Sequence, residues 1–448
     1  MTRAGEFGLD DFDMHSDLPW LMNRPIVRVR KELYKRSPKR GVAAAVLVGY
    51  IGPALERLEI HYEEARVDVP SGCLRRLSRD NGRTWSAFDP LPPTLSNPAG
   101  IEVWAAPCTW FYDRGAGMLV EGWLRQITEV IDRKPQAAPA WLAPALEDAP
   151  EGASTRQVTH ITGRRYNCFT YYRLSRDLGQ TWTPLRQLRY EEGDEFDPTD
   201  PLKPGFLRRN QAYLGGYLRH SNGTLIHPVV HARFPGDSEN DSRAWRRGAL
   251  CFVGRWDAPA GDYRWTAGKP VAASPRTVMD GFDEPAIAEL RDGRVLVIWR
   301  GTNTEETPGH KWFSISHDGG LTFDQPREWR YDDDTGFYSP ASIHHLIRHS
   351  VTGKLYWVGN ISAVPPRGNW PRYPLVIAEV EETIPALRRG TVTVIADRSP
   401  DQTAYVEFSN FSLLENRETH EFEIYLTAFG ESPDHINNAH CYKYTLTV

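Results

Sequence analysis

Three stretches of the chain share one pattern: SRDNGRTW at Ser78–Trp85, SRDLGQTW at Ser175–Trp182 and SHDGGLTF at Ser316–Phe323. The common form is Ser-x-Asp-x-Gly-x-Thr-aromatic. Its aspartate can accept hydrogen bonds from nearby backbone N–H groups, and its glycine allows the positive φ that a tight turn needs. We therefore expect each copy to form a hairpin corner, whose aromatic ring fills an apolar gap between neighbouring structural units.

Short runs of β-branched and aromatic residues recur between turn signals, and no long amphipathic helical stretch competes with them. Corners such as Asn222-Gly223, Asp292-Gly293 and Thr352-Gly353 favour antiparallel hairpins. The sequence therefore predicts an all-β protein. The runs that we predict as strands are VAAAVLVGYIG, GCLRRLS, YNCFTYYRLS, GTLIHPVVHA, GALCFVG, GRVLVIWRG, KWFSIS, GKLYWVGNIS, YPLVIAEV and EFEIYLTA.

The composition is typical of a large globular protein, with 40% hydrophobic and 11% aromatic residues in a chain of 448. A formal net charge of -5 argues against a general nucleic-acid surface, because phosphate binding relies on an excess of Lys and Arg. We expect a single domain over residues 1–448. Ala/Pro-rich and polar stretches predict insertions near 130–155 and 233–246.

The N-terminal stretch MTRAGEFGLDDFDMHSDLPW is acidic and lacks the basic region and apolar run of a secretory signal. No stretch of the sequence is apolar enough to span a bilayer. The five cysteines are irregularly spaced without a CxxC pair, so neither a disulfide framework nor a zinc site is indicated. We expect a cytoplasmic protein that does not bind a membrane and whose cysteines are mostly buried thiols.

The repeated pattern resembles the Asp-boxes of the sialidase (neuraminidase) superfamily. The segment GRWDAPAGDYRW, around Asp257 and Trp265, resembles a degenerate fourth copy. The unequal spacing of the copies fits blades that keep the motif alternating with blades that have lost it. The resemblance implies a six-bladed β-propeller with four antiparallel strands in each blade, covering nearly the whole chain.

The segment DEPAIAELRDGRVLVIWRG carries the first candidate site residues. Glu284 stands at the head of a predicted strand, and Arg300 ends the strand that returns from the Asp292-Gly293 turn. Both side chains can therefore emerge at the same end of one hairpin. This segment resembles the part of the sialidases that carries a catalytic Glu and a substrate-binding Arg, and the resemblance implies those roles here.

Two later segments complete the set that the resemblance implies. In PPRGNWPRYPLVIAEV, Arg372 immediately precedes an apolar strand, as the third arginine of the sialidase triad does, and Arg367 is a nearby alternative. The segment QTAYVEFSNFSLL resembles the strand on which sialidases carry their tyrosine nucleophile, and it gives that role to Tyr405.

The chemistry of this set is coherent. Guanidinium groups can hold a carboxylate bidentately, so converging arginines suit an acidic sugar. A phenol has an ordinary pKa of about 10, so Tyr405 needs a base such as Glu284 to become a nucleophile. A neutral nucleophile also avoids repulsion by the carboxylate of the substrate.

The first half of the chain matches less closely. Sialidases supply an early Arg-Ile-Pro motif, and NRPIV gives only a loose counterpart with Arg24, for which Arg28 and Arg30 are alternatives. For the general acid, Asp68 in EEARVDVPSG precedes the first repeat, but it lies farther from that repeat than the sialidase pattern places it. A shifted loop, a different acid such as Glu64, or a leaving group that needs no protonation would each explain the difference.

Several other residues are conspicuous. Alternation places His227 and His231 on one face of a predicted strand, but no third ligand at a suitable spacing accompanies them, so we expect histidines of the core or of a pocket. The same applies to His344-His345. Three tryptophans lie close together in the sequence, Trp104, Trp110 and Trp123. They either stack on sugar rings or pack between sheets.

The leading hypothesis is a glycoside hydrolase resembling the exo-α-sialidases. It would remove a terminal acidic sugar, sialic or a related ulosonic acid, by a retaining mechanism through Tyr405 and without a cofactor. One alternative is a polysaccharide lyase or uronic-acid-specific glycosidase, in which arginines neutralise a uronate and Tyr405 or His231 moves protons. Another is a propeller that binds carbohydrate without catalysis.

Overall fold

The fold is known from a computed structural model that describes most of the chain. The described residues are 18, 23–66, 69–91, 94–96, 101–130, 164–232, 248–273, 278, 281–304 and 306–448. The insertions predicted near 130–155 and 233–246 fall almost entirely outside these residues. Within them, no helix is long and apolar enough to cross a membrane.

Antiparallel sheets make up almost all of the regular secondary structure in the described residues. The first strand, β1 (Arg28–Lys35), belongs to the sheet formed by the last three strands of the chain. The first three sheets follow in chain order, and we call them blades 1 to 3. Blade 1 consists of β2 (Ala43–Tyr50), β3 (Arg57–Arg66), β4 (Val69–Ser78) and β5 (Asp89–Pro90). Blade 2 consists of β6 (Thr94–Ser96), β7 (Glu102–Asp113), β8 (Met118–Val130), β9 (Arg164–Ser175) and β10 (Arg186–Gln187). Blade 3 consists of β11 (Tyr213–Leu214), β12 (Leu218–Arg219), β13 (Thr224–Ala232), β14 (Gly248–Asp257) and β15 (Asp262–Ala267).

Blades 4 to 6 complete the set. Blade 4 consists of β16 (Asp283–Glu289), β17 (Val295–Arg300), β18 (Lys311–Ser316) and β19 (Arg327–Glu328). Blade 5 consists of β20 (His345–Arg348), β21 (Leu355–Asn360), β22 (Leu375–Glu381), β23 (Ala386–Leu387) and β24 (Thr393–Ala396). Blade 6 consists of β25 (Glu407–Glu415), β26 (Phe422–Phe429), β27 (Cys441–Thr447) and β1.

Each blade is a four-stranded antiparallel unit with local variations. β6 adds a short piece to β7, two short strands share the inner edge of blade 3, and two share the outer edge of blade 5. Helix is confined in the described chain to α1 (Pro204–Leu207) and a 3₁₀ turn at Arg389–Thr391. The all-β, six-bladed propeller is therefore confirmed, as are the ten predicted strand runs.

The ring is closed by its N-terminal strand. β1 pairs antiparallel with β27, from Arg28 opposite Thr447 to Lys35 opposite Cys441. Three strands from the end of the chain and one from its beginning thus share a sheet. Closure in this way completes the four strands of blade 6 and ties the two ends of the described chain together.

The core lies between the blades. Buried apolar side chains from each sheet interlock with those of the next, and the largest cluster joins blades 4 and 5 around Trp329 and Trp357, both 1% exposed. A second cluster joins blades 5 and 6. Since burial of apolar area contributes about 25 cal/mol per Å², this stacking of sheets is the main source of stability.

The three repeated turns have one geometry. In the first copy, Ser78 Oγ and Thr84 N each donate to Asp80 Oδ1 over 2.8 Å, and Thr84 Oγ1 donates to Asp80 Oδ2 over 2.6 Å. The same bonds recur in the other two copies. The glycine adopts a positive φ, +84° at Gly82. The predicted hairpin corners are therefore confirmed, and each connects the third and fourth strands of its blade.

The aromatic residue of each turn packs where the blade meets its predecessor. Trp85 lies against the cluster between blades 6 and 1, Trp182 against that between blades 1 and 2, and Phe323 against that between blades 3 and 4. The turn thus fixes the third strand to the fourth and also one blade to the next. The segment around Asp257 and Trp265 occupies the corresponding corner of blade 3, with Asp257 opposite Asp262.

The innermost strands bring distant segments to one face of the ring. Because every blade repeats the same up-and-down order, these strands run in the same direction, and their first residues meet at one end of the central channel. The residues that begin these strands in blades 4, 5 and 6 are Asp283, His345 and Glu407. This end of the channel contains the candidate site.

Candidate active site

Glu284 and Arg300 lie side by side on the first hairpin of blade 4. Asp283 is opposite Arg300 in the β16–β17 ladder, and the register shifts between Asp283 and Ala286. This bulge gives Glu284 a φ of +42°, unusual for a residue with a side chain. Arg300 Nη1 lies 2.7 Å from Glu284 Oε1. The bulge therefore directs the carboxylate toward the arginine at the strand end.

Only one oxygen of Glu284 is accounted for by that ion pair. Oε2 is buried and has no hydrogen-bond partner among the described residues. An unsatisfied buried carboxylate oxygen is costly, and a strained backbone commonly marks a site where a side chain must be held in a reactive position. Both features indicate that Glu284 faces a ligand.

Arg372 forms a second ion pair at the same end of the ring. Its side chain is 9% exposed, and its Nη1 donates to Glu407 Oε2 over 2.6 Å. The indole N–H of Trp370 donates to Glu407 Oε1 over 3.1 Å. A parallel bridge joins the backbone of Arg372 to that of Glu407. The arginine is therefore charge-compensated before any substrate arrives.

The segment Pro340–Ser342 holds two cations through its backbone. Lys311 Nζ donates to the carbonyl oxygens of Pro340 and Ser342 over 2.9 and 2.8 Å. Arg372 Nη2 donates to the carbonyl between them, that of Ala341, over 2.7 Å. Three successive carbonyls thus link blade 4 to blade 5 and fix the position of the segment that enters β20.

Lys311 is fully buried, and it lies directly opposite Arg300 in the β17–β18 ladder. Burial is the main reason why its pKa lies well below the ordinary value, and the neighbouring charge of Arg300 lowers it further. Glu284 acts in the opposite direction, and Arg372 adds to the lowering. These four side chains therefore share one electrostatic environment.

Tyr405 lies beside the Arg372 pair, just before β25. It is 6% exposed, and its ring meets that of Trp370 edge to face, with centroids 5.2 Å apart. Its backbone N–H is held by Thr403 Oγ1. A side chain at Gly430, whose φ is +73°, would clash with the Tyr405 carbonyl. The Tyr405 ring therefore packs on Trp370 at the end of the propeller where Arg372 and Glu407 lie.

A cavity of about 500 Å³ occupies the centre of the ring, and all six blades contribute to its wall. This volume is suitable for a small ligand. Two carboxylates line it, those of Glu64 and Glu284, and no Lys or Arg does so among its described lining residues. Further lining residues come from blades 1, 2, 3, 5 and 6, and they include Ala45, Trp104, Tyr217, His344, His345 and Asn410.

Neutral histidines border the same cavity. Burial lowers the pKa of His344 well below its ordinary value and also lowers that of His345, which Glu284 partly opposes. His227 is buried behind Tyr217, with their rings stacked 4.2 Å apart, and burial lowers its pKa to about 4. These are core and pocket histidines. Among the described residues, no cluster of His, Cys, Asp and Glu could hold a metal.

Comparison with known proteins finds similarity in structure only. The chain matches no protein-family model and no curated protein. It superposes on the NanB sialidase of Streptococcus pneumoniae with a TM-score of 0.54 at 13% identity, covering 93% of this chain and 70% of that one. For the intramolecular trans-sialidase of Ruminococcus gnavus the TM-score is 0.54 at 10% identity, with 93% and 96% covered. The fold is that of the sialidases.

Within this sialidase fold, the structure does not bring Arg24 to the other arginines. Arg24 is exposed, and its neighbours are tied to the outer part of blade 5: Asn23 Nδ2 donates to Arg389 O, and Ile26 N donates to Thr393 Oγ1. The alternatives Arg28 and Arg30 are exposed on β1, at the outer edge of blade 6. The N-terminal stretch follows the perimeter of the propeller, so Arg24 lies apart from Arg300 and Arg372, and its role as the first arginine stays a prediction.

At the start of the innermost strand of blade 1, small buried residues occupy the position nearest the channel. Ala43 and Ala44 are fully buried, and Ala45 lines the central cavity. No cation comes from this strand. Asp68, predicted as the general acid, lies outside the described residues, whereas Glu64, its alternative, lines the cavity.

The sequence analysis missed two charged residues of the site, Lys311 and Glu407. Lys311 begins a strand in KWFSIS and looks like an ordinary exposed strand end, and Glu407 stands inside an apolar run. The signal for Glu407 is its position two residues after Tyr405, since a carboxylate inside such a run usually compensates a buried cation. Nothing in the sequence marks Lys311 as a site residue. Its position beside Arg300 becomes evident only from the pairing register of β17 and β18.

Proposed function

We propose that this protein is a glycoside hydrolase that cleaves a terminal sugar bound at the end of the ring where Glu284 lies. The observation that carries the proposal is the state of this carboxylate. One oxygen pairs with Arg300, the other is buried without a partner among the described residues, and the side chain faces a cavity of about 500 Å³. Solved proteins with this fold are named as sialidases, which supports the same class of reaction.

Glu284 has the properties that a catalytic carboxyl needs. Arg300 holds one oxygen and fixes the rotamer, so the other oxygen is left to take or give a proton at the glycosidic bond or at a nucleophile. Glycoside hydrolysis commonly uses a second group on the opposite side of the bond. Glu64 lines the same cavity from blade 1, and we propose it as the partner acid.

The sialidase-type reaction is the finer candidate. In it Tyr405 loses its proton to Glu284 and attacks the anomeric carbon, while the bond to the aglycone breaks and a general acid such as Glu64 protonates the leaving oxygen. Water then cleaves the bond between the sugar and Tyr405, and Arg300 and Arg372 hold the carboxylate of an acidic sugar throughout. Its support is positional: Tyr405 and Arg372 lie together through Trp370 and Glu407, at the same end of the ring as Glu284. The sialidase-type reaction and hydrolysis by Glu284 with Glu64 share Glu284 as the catalytic carboxyl. They differ in the nucleophile and in the charge of the sugar.

The test of the proposed class is a screen of aryl glycosides with product analysis, on the wild-type protein and on Glu284→Gln. We expect release of the aglycone by the wild-type protein and a loss of kcat of about 10²- to 10⁴-fold in the variant. Glu289→Gln, at the other end of the same strand, is the matched control and should retain activity. Turnover unaffected by Glu284→Gln would refute the assignment, and an unsaturated product absorbing in the ultraviolet would indicate a lyase instead.

A further inference from the structure

Both arginines of the site are paired with a carboxylate before substrate binds, and this pairing bears on the substrate class. Arg300 is paired with Glu284 over 2.7 Å and Arg372 with Glu407 over 2.6 Å. Lys311 has its ammonium on two backbone carbonyls, with a third carbonyl taken by Arg372. A site that captures a carboxylate needs an excess of positive charge, and here each arginine already has its own carboxylate.

The wall of the central cavity supplies carboxylates and, among its described residues, no cation. Glu64 and Glu284 both face it, and the described lining residues include no Lys or Arg. The innermost strand of blade 1 contributes only alanines near this end, where a further cation would otherwise complete an anion site. A substrate carboxylate placed beside Glu64 would therefore meet a like charge.

The same wall offers uncharged hydrogen-bonding groups. Among the described residues, buried polar atoms without a partner include the indole N–H of Trp104 and the hydroxyl of Tyr217. Both side chains line the cavity, and they come from two different blades. Buried polar atoms are nearly always hydrogen-bonded, so these groups are suited to the hydroxyls of a ligand.

We propose that the substrate sugar is uncharged, a neutral glycoside recognised through its hydroxyls, and that the two arginines orient glutamates instead of binding a carboxylate. This rests on the proposed function for the identity of the site. In this arrangement Arg300 fixes Glu284, and Arg372 fixes Glu407 beneath Trp370 and Tyr405. An acidic sugar is then disfavoured, because Glu64 faces the cavity and none of the described lining residues is a Lys or Arg.

The first test compares matched aryl glycosides that differ only at C6: glucoside with glucuronide, and galactoside with galacturonide. Aryl arabinofuranoside and sialoside extend the set. We expect kcat/KM for at least one neutral glycoside to exceed that of its acidic counterpart 100-fold or more. Equal or faster cleavage of the acidic member, or cleavage of the sialoside alone, would overturn the proposal.

Binding measured apart from turnover separates this inference from the proposed function. Neutral and acidic monosaccharides, and oligosaccharides built from them, are titrated against the wild-type protein by tryptophan fluorescence, since Trp104 lines the cavity, and by saturation-transfer NMR. If no glycoside is cleaved but neutral sugars still bind in preference, the hydrolase proposal fails and the inference stands. Tighter binding of acidic sugars, or no binding of any neutral sugar, overturns the inference.

A variant that removes the charge of Glu64 tests why neutral sugars are preferred. Glu64→Gln removes one carboxylate from the wall, so the preference for neutral over acidic ligand should fall at least tenfold. The matched control is Glu63→Gln, since alternation places its side chain, 41% exposed, on the opposite face of β3. It should leave the preference unchanged. An unaltered preference in Glu64→Gln, with thermal stability equal to that of the control, would show that repulsion by the wall does not select the sugar.

Discussion

At the scale of single residues, the site consists of charges that support one another. Glu284 depends on Arg300 for its orientation, and Arg372 depends on Glu407 for charge compensation. Neither arginine is exposed enough for solvent to replace its partner. A substitution in one member therefore acts on the other, and effects on stability must be separated from effects on turnover.

Tyr405→Phe examines the role of the phenol. If Tyr405 is the nucleophile, we expect kcat to fall at least 1000-fold while sugar binding stays measurable, because only the hydroxyl is lost and the ring keeps its packing on Trp370. Kinetics on an activated aryl glycoside, with binding by titration, checks this. Thr403→Ser is the control, since it keeps a hydroxyl to hold the Tyr405 backbone. Turnover within tenfold of wild type would exclude Tyr405 as the nucleophile.

The buried pair of Arg372 and Glu407 gives a prediction on stability. Arg372→Met leaves Glu407 buried without its cation, so we expect a loss of about 3–5 kcal/mol in the free energy of unfolding. Glu407→Gln in the Arg372→Met background should recover part of that loss, because the uncompensated charge is gone. Denaturant titration of the single and double variants provides the measurement.

The comparison is a pair whose arginine is largely exposed to solvent. Arg264 lies 2.5 Å from Asp257, and its side chain is 82% exposed, so Arg264→Met should cost less than about 1 kcal/mol. If Arg372→Met cost no more than Arg264→Met, the pair at the site would contribute nothing beyond a surface ion pair, and its structural importance would be disproved.

At the scale of structural elements, the repeated turn is the unit that connects strands to blades. Its aspartate accepts from a serine hydroxyl, a threonine hydroxyl and a backbone N–H, and its aromatic ring fills the seam with the preceding blade. The turn therefore combines a local hydrogen-bond network with a non-local packing contact. This explains why the pattern can be recognised in the sequence without any knowledge of the site.

The hydrogen bonds of this turn predict a pH dependence. They lower the pKa of Asp80 to about 2, from about 3.9 in an unfolded chain, with the bonds from Thr84 as the main cause. A lowered folded-state pKa gives stability that is present above about pH 4 and is lost as the pH falls toward 2. We therefore expect wild type and Asp80→Ala to differ in thermal midpoint at pH 6 and to converge near pH 2.

Thermal unfolding between pH 6 and pH 2 measures this difference. Asp89→Ala, which removes a carboxylate from an exposed pair with Arg75, is the control for the loss of a surface charge. A gap between wild type and Asp80→Ala that stays constant down to pH 2 would mean that the carboxylate form of Asp80 does not stabilise the turn.

At the scale of the whole molecule, closure of the ring creates the cavity. No single blade encloses it, since every blade contributes part of the wall. A large side chain on blade 1, opposite blade 4 in a six-membered ring, should therefore block a ligand that Glu284 contacts. Function at this scale depends on the spacing between blades, which the interlocked apolar seams maintain.

Ala45→Trp tests this dependence. Ala45 lines the cavity from β2, so we expect the variant to lose measurable sugar binding and to lower kcat/KM at least 100-fold, because the indole occupies the space of the ligand. Isothermal titration with a neutral sugar and kinetics on the aryl glycoside provide the readouts. Ala45→Ser is the control and should behave as wild type. Unimpaired binding in Ala45→Trp would place the ligand elsewhere.

The class of fold, the repeated corners and the Glu284–Arg300 hairpin could be predicted from the sequence, because they depend on local periodicity, turn chemistry and the spacing within one hairpin. Which cations are compensated, and which residues close the cavity, follows from contacts between blades. Lys311 meets Arg300 through strand register, Glu407 meets Arg372 across two blades, and Arg24 lies at the perimeter. Such contacts arise from the closure of the ring, and short-range sequence patterns carry no information about them.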